Sequence, residues 1–387
     1  MTQNNENLVL CEEANTNRNN PYCKCIFSFY KLELDRMVCC KKFDYSSRNS
    51  FQYKLNKKRS LVIIASLDDS ERSISLSFYK IDEVNDIGEA VQSPKPQDLN
   101  TRIKIEKGKE SINEFSMELS VDERKLCIMV EGGEGDQYYC DAHFYQCNFT
   151  PGNGLTLVKM FSMDASVIGV VKVDPVVFNM SGDKIAMLTK NGFLVYSLVN
   201  QSVIAKHSLK DFEFHEIEWS YDLEKGEILV DFDYTANEIC VFGFNSIEKT
   251  SKLLNTIHIS TFVEELSEFE AWNSGIKIST GTSFIIFGDE DVYLVDPFTG
   301  QLVQKITPPK DWDNVFVDFF CLNWFSSEIL ILYQGEKESF YGKVCKLKTG
   351  CVESLLQSAI KIVLLNYSVN DLIGMNLPKT VKRYFID

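Results

Sequence analysis

The sequence predicts an all-β protein in which a four-stranded unit recurs along most of the chain. The clearest copy of the unit places short strand-like runs at residues 176–181, 184–188, 193–197 and 202–205, joined by tight turns. The chain also contains 27 Phe and 16 Tyr, and aromatic residues favour strands. No long stretch shows the apolar period of an amphipathic helix, so strands are expected almost throughout.

The unit can be followed through its first two strands, each pair separated by a polar turn. First strands are predicted to begin near Phe51, Phe115, Val176, Glu216, Glu270, Phe319 and Ile362. Second strands are predicted at residues 61–65, 126–130, 185–188, 228–230, 283–287, 329–333 and 372–375, and third strands at 74–81, 139–149, 193–198, 238–244, 292–295, 341–347 and 381–386. Starts spaced by about 40 to 60 residues are typical of a β-propeller, whose blades each hold four strands. The two longest intervals are assigned to insertions at residues 92–111 and 151–165.

The two ends of the chain predict how such a ring would close. Residues 1–22 are polar and are expected to form a disordered tail, which leaves residues 23–387 as a single domain. Residues 25–32 and 37–43 are interpreted as a third and a fourth strand with no first and second strand before them. Pairing of the N-terminal and C-terminal strands would complete one blade and remove open sheet edges. The split between the ends, two plus two or three plus one, stays open.

The chain resembles a seven-bladed β-propeller of the WD40-like class over residues 23–387. Asp296-Pro-Phe-Thr-Gly300 is similar to the Asp-x-x-Thr-Gly turn common between third and fourth propeller strands, and Asn191-Gly192 is a strong hairpin turn. No Gly-His dipeptide opens a repeat and no Trp-Asp ends a third strand, so the resemblance is one of pattern. A pair of large β-sandwiches is the structural alternative, although the single sustained period argues against it.

Composition limits the compartment and the class of partner. The formal net charge is −15, whereas a nucleic-acid binder usually has a basic surface, so direct nucleic-acid binding is not expected. The N-terminus shows no signal or transit pattern, and no apolar run reaches about 18 residues, so no membrane span is expected. Twelve scattered cysteines, several within apolar strands, are interpreted as free thiols of a reducing compartment. We therefore expect a cytoplasmic or nuclear protein.

One cysteine cluster has a metal-like composition. Cys23-Lys-Cys25 and Cys39-Cys40 bring four thiols near one hairpin, but the spacing differs from the C-x₂-C knuckle of structural zinc sites. We expect Cys25 and Cys39 to face each other across the hairpin as a packing pair. The sequence does not decide whether these four residues bind metal, and no metal or cofactor is predicted.

Catalytic motifs are not found in the sequence. The four histidines lack metalloprotease spacing, and neither a P-loop nor a nucleophile elbow occurs. His207 and His258 fall in fourth-strand positions and are expected to be surface or satisfied residues. A propeller enzyme would need several polar residues on first strands, where Glu118, Glu218 and Asp318 are the few exceptions. The protein is therefore predicted not to be an enzyme.

The predicted blade register gathers acidic residues on one face. The loops between second and third strands carry most of them, and Trp312 lies between acids in a loop of the same face. The residues predicted to bind a partner are Asp68, Asp69, Glu131, Glu134, Asp136, Asp289, Glu290, Asp291, Trp312 and Glu336. Such a face would steer and pair with a basic peptide or protein surface. Two plainer interpretations stay open, namely loops charged for solubility and a Trp packed between blades.

The resemblance and the acidic face together predict a non-catalytic scaffold or subunit of a hetero-complex that binds proteins. Two alternatives from other classes remain. One is a propeller that recognises substrates within a ubiquitin-ligase-type complex. The other is a propeller hydrolase or lyase with a site in a central channel.

Overall fold

The computed structural model describes a large part of the chain. The described residues are 7–14, 23–33, 36–47, 50–55, 61–68, 73–80, 97–104, 112–120, 122–133, 138–150, 154–173, 176–179, 181–208, 215–222, 226–233, 238–245, 250–261, 285–288, 291–308, 316–323, 328–334 and 340–346. The chain divides into two compact units, one made of Met1–Leu119 with Glu123–Asp174 and the other of Ser120–Asp122 with Pro175–Asp387.

The first unit contains three antiparallel sheets in which neighbours in sequence are neighbours in space. Sheet 1 consists of β1 (Asn7–Ala14), β2 (Cys23–Glu33) and β3 (Arg36–Ser47). Sheet 2 consists of β4 (Phe51–Leu55), β5 (Leu61–Asp68), β6 (Ser73–Lys80) and β7 (Gln97–Lys104). Sheet 3 consists of β8 (Ile112–Leu119), β9 (Lys125–Gly132), β10 (Tyr139–Thr150) and β11 (Gly154–Asp164), and a 3-10 turn at Ser166–Ile168 follows it.

The second unit repeats the same up-and-down order in four sheets. Sheet 4 consists of β12 (Val176–Phe178), β13 (Lys184–Thr189), β14 (Gly192–Ser197) and β15 (Ser202–Ser208). Sheet 5 consists of β16 (His215–Asp222), β17 (Gly226–Asp233), β18 (Glu238–Asn245) and β19 (Thr250–His258). Sheet 6 consists of β20 (Ile285–Gly288), β21 (Val292–Val295) and β22 (Leu302–Ile306), and sheet 7 of β23 (Phe316–Asn323), β24 (Glu328–Gln334) and β25 (Phe340–Lys346).

The predicted all-β class is confirmed, and each four-stranded sheet has the strand order of a propeller blade. Second and third strands lie where the sequence placed them in sheets 2 to 7. The strand starts predicted near Glu270 and Ile362 lie outside the described residues. The seven-bladed count and the closure between the two ends stay predictions.

Three stretches that were predicted to be a disordered tail or insertions contain strands. Asn7–Ala14, predicted as part of a disordered tail, pairs with β2 in antiparallel register. The predicted insertions contain β7 and β11, which are the fourth strands of their sheets. Fourth strands form the outer edge of a sheet, and β11 is largely exposed, so it lacks the apolar pattern by which a buried strand is recognised. β1 belongs to sheet 1, so the N-terminal segment supplies three strands to that sheet.

The backbone register of sheet 1 overturns the predicted Cys25–Cys39 pair. Cys25 lies opposite Tyr45, and Cys39 lies opposite Tyr30. The register shifts between Phe29 and Tyr30, so that Cys40 becomes an extra residue in β3. The prediction was wrong because pairing of Cys25 with Cys39 needs a hairpin centred on Leu32, whereas the chain turns after Glu33, which lies opposite Arg36.

The same irregularity recurs in the last strand of sheets 1 to 6. In each of these sheets the pairing with the preceding strand shifts near the middle of the last strand. The extra residues are Cys40, Leu99 with Asn100, Met160, Ile204, Leu254 and Val303. Such bulges increase the local twist of the outer strand. Their recurrence indicates that the sheets are copies of one structural unit although their sequences share no signature.

Apolar side chains from neighbouring sheets fill the core. In β17, Ile228 and Val230 pack towards Tyr293 and Val295 of sheet 6. Leu229 points to the other face, where it joins residues of sheet 4. Because both faces of the second strand are covered, it reads as a continuous apolar run, as β9 also does. Sheets 2 and 3 share a cluster of the same kind.

A buried polar cluster joins sheet 4 to sheet 5. Asn179 is fully buried, and its amide donates to Asp183 Oδ1 at 2.7 Å and to Glu227 Oε1. Lys184 Nζ lies 2.8 Å from Glu227 Oε2. Burial opposes the charge on Lys184, but Glu227 and Asp183 together raise its pKa above the usual range. The cluster therefore holds the turn before β13 against the start of β17 through one ammonium shared by two carboxylates.

Candidate protein-interaction site

An acidic residue recurs where the second strand meets the third. Asp68 is the last residue of β5, and Glu131 is the penultimate residue of β9. Asp233 is the last residue of β17, and Asp291 directly precedes β21. The four residues occupy the same end of the second–third hairpin in four sheets. Within each sheet, this is the position that the sequence predicted for the acidic loops.

The other predicted contact residues cannot be placed in the same way. Asp69, Glu134, Asp136, Asp289, Glu290, Trp312 and Glu336 lie outside the described residues. For Asp68 and Asp233, the strand position is described but not the side chain. The geometry of the candidate site therefore comes from Glu131 in the first unit and Asp291 in the second.

Glu131 is bound to its own chain. Tyr138 Oη lies 3.2 Å from Glu131 Oε2 and 2.7 Å from the carbonyl oxygen of Val171. Burial raises the pKa of the Glu131 carboxyl, and the Tyr138 hydrogen bond only partly offsets this. The Tyr138 hydroxyl donates to the Val171 carbonyl at the shorter distance and to Glu131 Oε2 at the longer one. Because it is the donor, its contact with Glu131 favours the ionised carboxylate and lowers the pKa.

Asp291 is paired with an exposed lysine. Its Oδ2 lies 2.7 Å from Lys305 Nζ, and the lysine side chain is 44% exposed. Lys305 Nζ also lies 5.2 Å from the centroid of the Tyr293 ring. The hydrogen bond to Asp291 raises the pKa of Lys305. The lysine end of the pair is therefore open to solvent, whereas the Asp291 side chain is only 18% exposed.

Sequence reasoning missed both Tyr138 and Lys305. Lys305 lies directly opposite Tyr293 across the β21–β22 pair, and that register brings it beside Asp291. The polar residues Gln304 and Lys305 within Leu302–Ile306 were the available signal, but they identify a partner only once the strands are aligned. Tyr138 precedes β10 and reaches Glu131 within the same hairpin.

A second titratable group, His207, lies between sheets 4 and 5. The His207 ring contacts Phe193 and Phe242, with centroids 5.4 and 4.3 Å away. Its Nδ1 lies 3.4 Å from Ser251 Oγ. Burial lowers the pKa of His207, and the charge of fully buried Asp231 opposes that shift. The ring is held by aromatic packing, which makes it a satisfied fourth-strand residue.

The first-strand acids are the residues that a propeller enzyme would use. Glu118 on β8 forms an ion pair with Lys54 on β4, the first strand of the neighbouring sheet. Glu218 is half-buried on β16, and the side chain of Asp318 is not described. Glu118 is therefore already paired with a cation of its own chain.

Metal-ligand clusters and thiols are the other groups that could carry chemistry in the described part of the chain. No group of three or more His, Cys, Asp or Glu in that part of the chain is placed to hold a metal ion. Cys127, Cys140 and Cys147 are buried thiols. Burial raises the pKa of Cys140 to about 12 and that of Cys127 well above its usual value, so both remain protonated thiols. Across the same residues, no helix is long and apolar enough to cross a membrane.

Comparison with known proteins gives structural likeness only. The sequence matches no protein-family model and no curated protein. Saccharomyces cerevisiae Sqt1 is similar at 9% identity and a TM-score of 0.43, over 85% of this chain and 83% of that one. Chaetomium thermophilum Sqt1 bound to the N-terminus of the ribosomal protein L10 is similar at 11% identity and a TM-score of 0.43, over 84% of each chain. An oligogalacturonate lyase in complex with manganese is similar at 8% identity and a TM-score of 0.44, over 85% of this chain and 87% of that one. Such low values transfer neither partner nor activity to this chain.

Proposed function

We propose that this chain is a non-catalytic, WD40-like propeller that binds other proteins, as a scaffold or as a subunit of a multiprotein complex in the cytoplasm or nucleus. The second–third hairpin ends form its acidic face, which receives a basic surface or peptide. The observation that best supports the proposal is the acid that recurs at this end in four sheets, at Asp68, Glu131, Asp233 and Asp291. Loops held by regular strands are presented at fixed positions, as recognition requires.

The Asp291–Lys305 pair suggests how a basic partner is accepted. The free protein keeps this carboxylate paired with an exposed lysine. An arginine of the partner can form two parallel hydrogen bonds to a carboxylate, whereas a lysine offers a single charge. Exchange of Lys305 for a partner arginine would therefore retain the charge balance and add a hydrogen bond.

The pairing of Glu118 with Lys54 supports the non-catalytic part of the proposal. A catalytic carboxyl must be able to exchange a proton with a substrate, and general acids are tuned for this by their surroundings. A carboxylate neutralised by a lysine of the next sheet serves to join first strands instead.

The test is native co-purification from the organism's own cells with three forms of the full chain as bait. The first is the wild type, and the second carries Asp68→Asn, Asp233→Asn and Asp289→Asn at the acidic face. The third is a control of equal charge with Glu123→Gln, Asp222→Asn and Glu328→Gln, which lie at first–second hairpins. We expect a stable partner with the wild type and the control, and its loss with the acidic-face variant.

The same experiment separates the alternatives. Recovery of ubiquitin-ligase subunits would make the chain a substrate receptor. A monomer that recovers no protein at all, or a partner retained equally by all three forms, would contradict the acidic-face proposal.

A further inference from the structure

The outer edge of sheet 3 differs from the acidic character of the chain as a whole. Strand β11 is eleven residues long, and in the described residues it pairs on one side only, with β10. Val158 is 55% exposed, Met160 is 40% exposed, and Val167 of the following 3-10 turn is 79% exposed. A long strand edge with exposed apolar side chains is a template on which another strand can pair.

The charges on this edge are balanced. Residues 154–170 contain one lysine and one aspartate, Lys159 and Asp164, in a chain whose formal charge is −15. Both side chains are exposed. Asp164 Oδ1 accepts a hydrogen bond from Ser166 N at 3.0 Å, which fixes the carboxylate at the end of the strand. The edge therefore presents one fixed negative charge and one positive charge.

The bulge in β11 sets both charges on one face of the sheet. Residues five positions apart on a regular strand point to opposite faces. Here Lys159 lies opposite Tyr145 and Asp164 lies opposite Asp141, with Met160 as the extra residue. Tyr145 and Asp141 are an even number of positions apart on β10 and so share a face. Lys159 and Asp164 consequently share that face too, with Ser162 midway between them.

We propose that β11 pairs antiparallel with β11 of a second copy of this chain, about a two-fold axis at Ser162. With Met160 the extra residue in each copy, as it is opposite β10, that register places Lys159 opposite Asp164 of the second copy and Asp164 opposite Lys159 of the second copy. Ser162 faces its own equivalent, and Phe161 lies opposite Met163. A two-fold interface requires a surface complementary to itself, and one charge of each sign placed symmetrically about Ser162 meets that requirement. This charge symmetry selects a second copy over an unrelated strand.

A charge-swap series with the full chain tests the register. Analytical ultracentrifugation over a concentration series is expected to show a wild-type dimer. Lys159→Glu and Asp164→Lys should each weaken dimerisation by about tenfold or more, because each places like charges opposite one another twice. The double variant restores opposite charges and should recover the dimer. A wild type that is monomeric at every concentration, or a double variant no better than the singles, overturns the proposal.

Cross-linking tests the same register without depending on how the variants fold. A zero-length carbodiimide is applied to a mixture of unlabelled and 15N-labelled wild-type protein. Within one chain, Lys159 and Asp164 are about 13 Å apart along the strand, too far for such a link. A Lys159–Asp164 link between differently labelled peptides is expected, and its absence contradicts the pairing.

A disulfide trap provides the matched control. Directly opposite residues of an antiparallel pair have Cα atoms about 4.5–5.5 Å apart, which a disulfide can span. Ser162→Cys should therefore give a covalent dimer on mild oxidation, whereas Thr156→Cys, also exposed on β11, should not. Equal trapping of the two variants would contradict a two-fold axis at Ser162.

Discussion

The His207 ring lies against the Phe242 ring with centroids 4.3 Å apart, so that the fourth strand of sheet 4 packs on the third strand of sheet 5. Phe193 contacts both rings. A charged imidazole among aromatic rings is deprived of its hydration shell. Burial therefore favours the neutral ring and lowers the pKa of His207. Packing between these two sheets therefore depends on a neutral histidine.

Acidification should weaken the folded state through His207. An exposed histidine in the unfolded chain titrates near 6.5, and the folded-state pKa lies below that value. Between the two pKa values the unfolded chain binds more protons than the folded protein does. The contribution of His207 to the free energy of unfolding is therefore fully present above a pH of about 6.5 and is lost as the pH falls through the folded-state pKa. Urea unfolding of the wild type and His207→Phe at pH 7.5 and 5.5 should show the variant gaining relative stability at pH 5.5. An identical stability difference at both pH values would contradict this role.

Removal of the Glu227 charge should destabilise the junction between sheets 4 and 5. Glu227→Gln retains an acceptor for Asn179 but leaves the ammonium of Lys184 with Asp183 alone, at 3.4 Å. Breaking a largely buried pair typically costs several kcal/mol, and we expect about 2 kcal/mol here because Asp183 remains. Urea denaturation midpoints measure the loss. Addition of Lys184→Met removes the poorly compensated charge and should recover part of the lost stability. If the free-energy changes of the two single variants simply add in the double variant, coupling between the two residues is contradicted.

Trp219 should contribute both packing and a hydrogen bond between first strands. Its Nε1 donates to the carbonyl oxygen of Val177 at 3.1 Å, and the side chain is buried. Trp219→Phe keeps most of the apolar volume and should cost about 1 kcal/mol for the lost hydrogen bond. Trp219→Ala also opens a cavity and should cost about 3–5 kcal/mol. Equal losses for the two variants in thermal or urea unfolding would contradict this division.

The parts of the fold that could be predicted from the sequence are those in which burial shapes the residue pattern. Both faces of β9 and β17 are covered, so Leu126–Val130 and Ile228–Val230 appear as apolar runs. Turn chemistry is equally local. Asp296 Oδ1 accepts from Phe298 N at 2.8 Å and Thr299 N at 2.9 Å, as expected of the turn that joins a third strand to a fourth.

The outer strands and the site contacts could not be predicted in this way. β11 is half exposed and shifts register at Met160, so neither period two nor an apolar run marks it. The positions of Glu131 and Asp291 follow from strand order alone. Their partners, Tyr138 and Lys305, depend on a register that a single sequence does not encode locally.

The measurement that tests the central claim most directly is the salt dependence of binding to the co-purified partner. The dissociation constant is measured by calorimetry from 50 to 200 mM salt for the wild type, the acidic-face variant and the control variant defined above. If the acidic face receives a basic partner, the wild type and control should weaken steeply with salt, and the acidic-face variant should bind at least tenfold more weakly with a shallower slope. Equal dissociation constants and equal slopes for all three proteins would contradict the account.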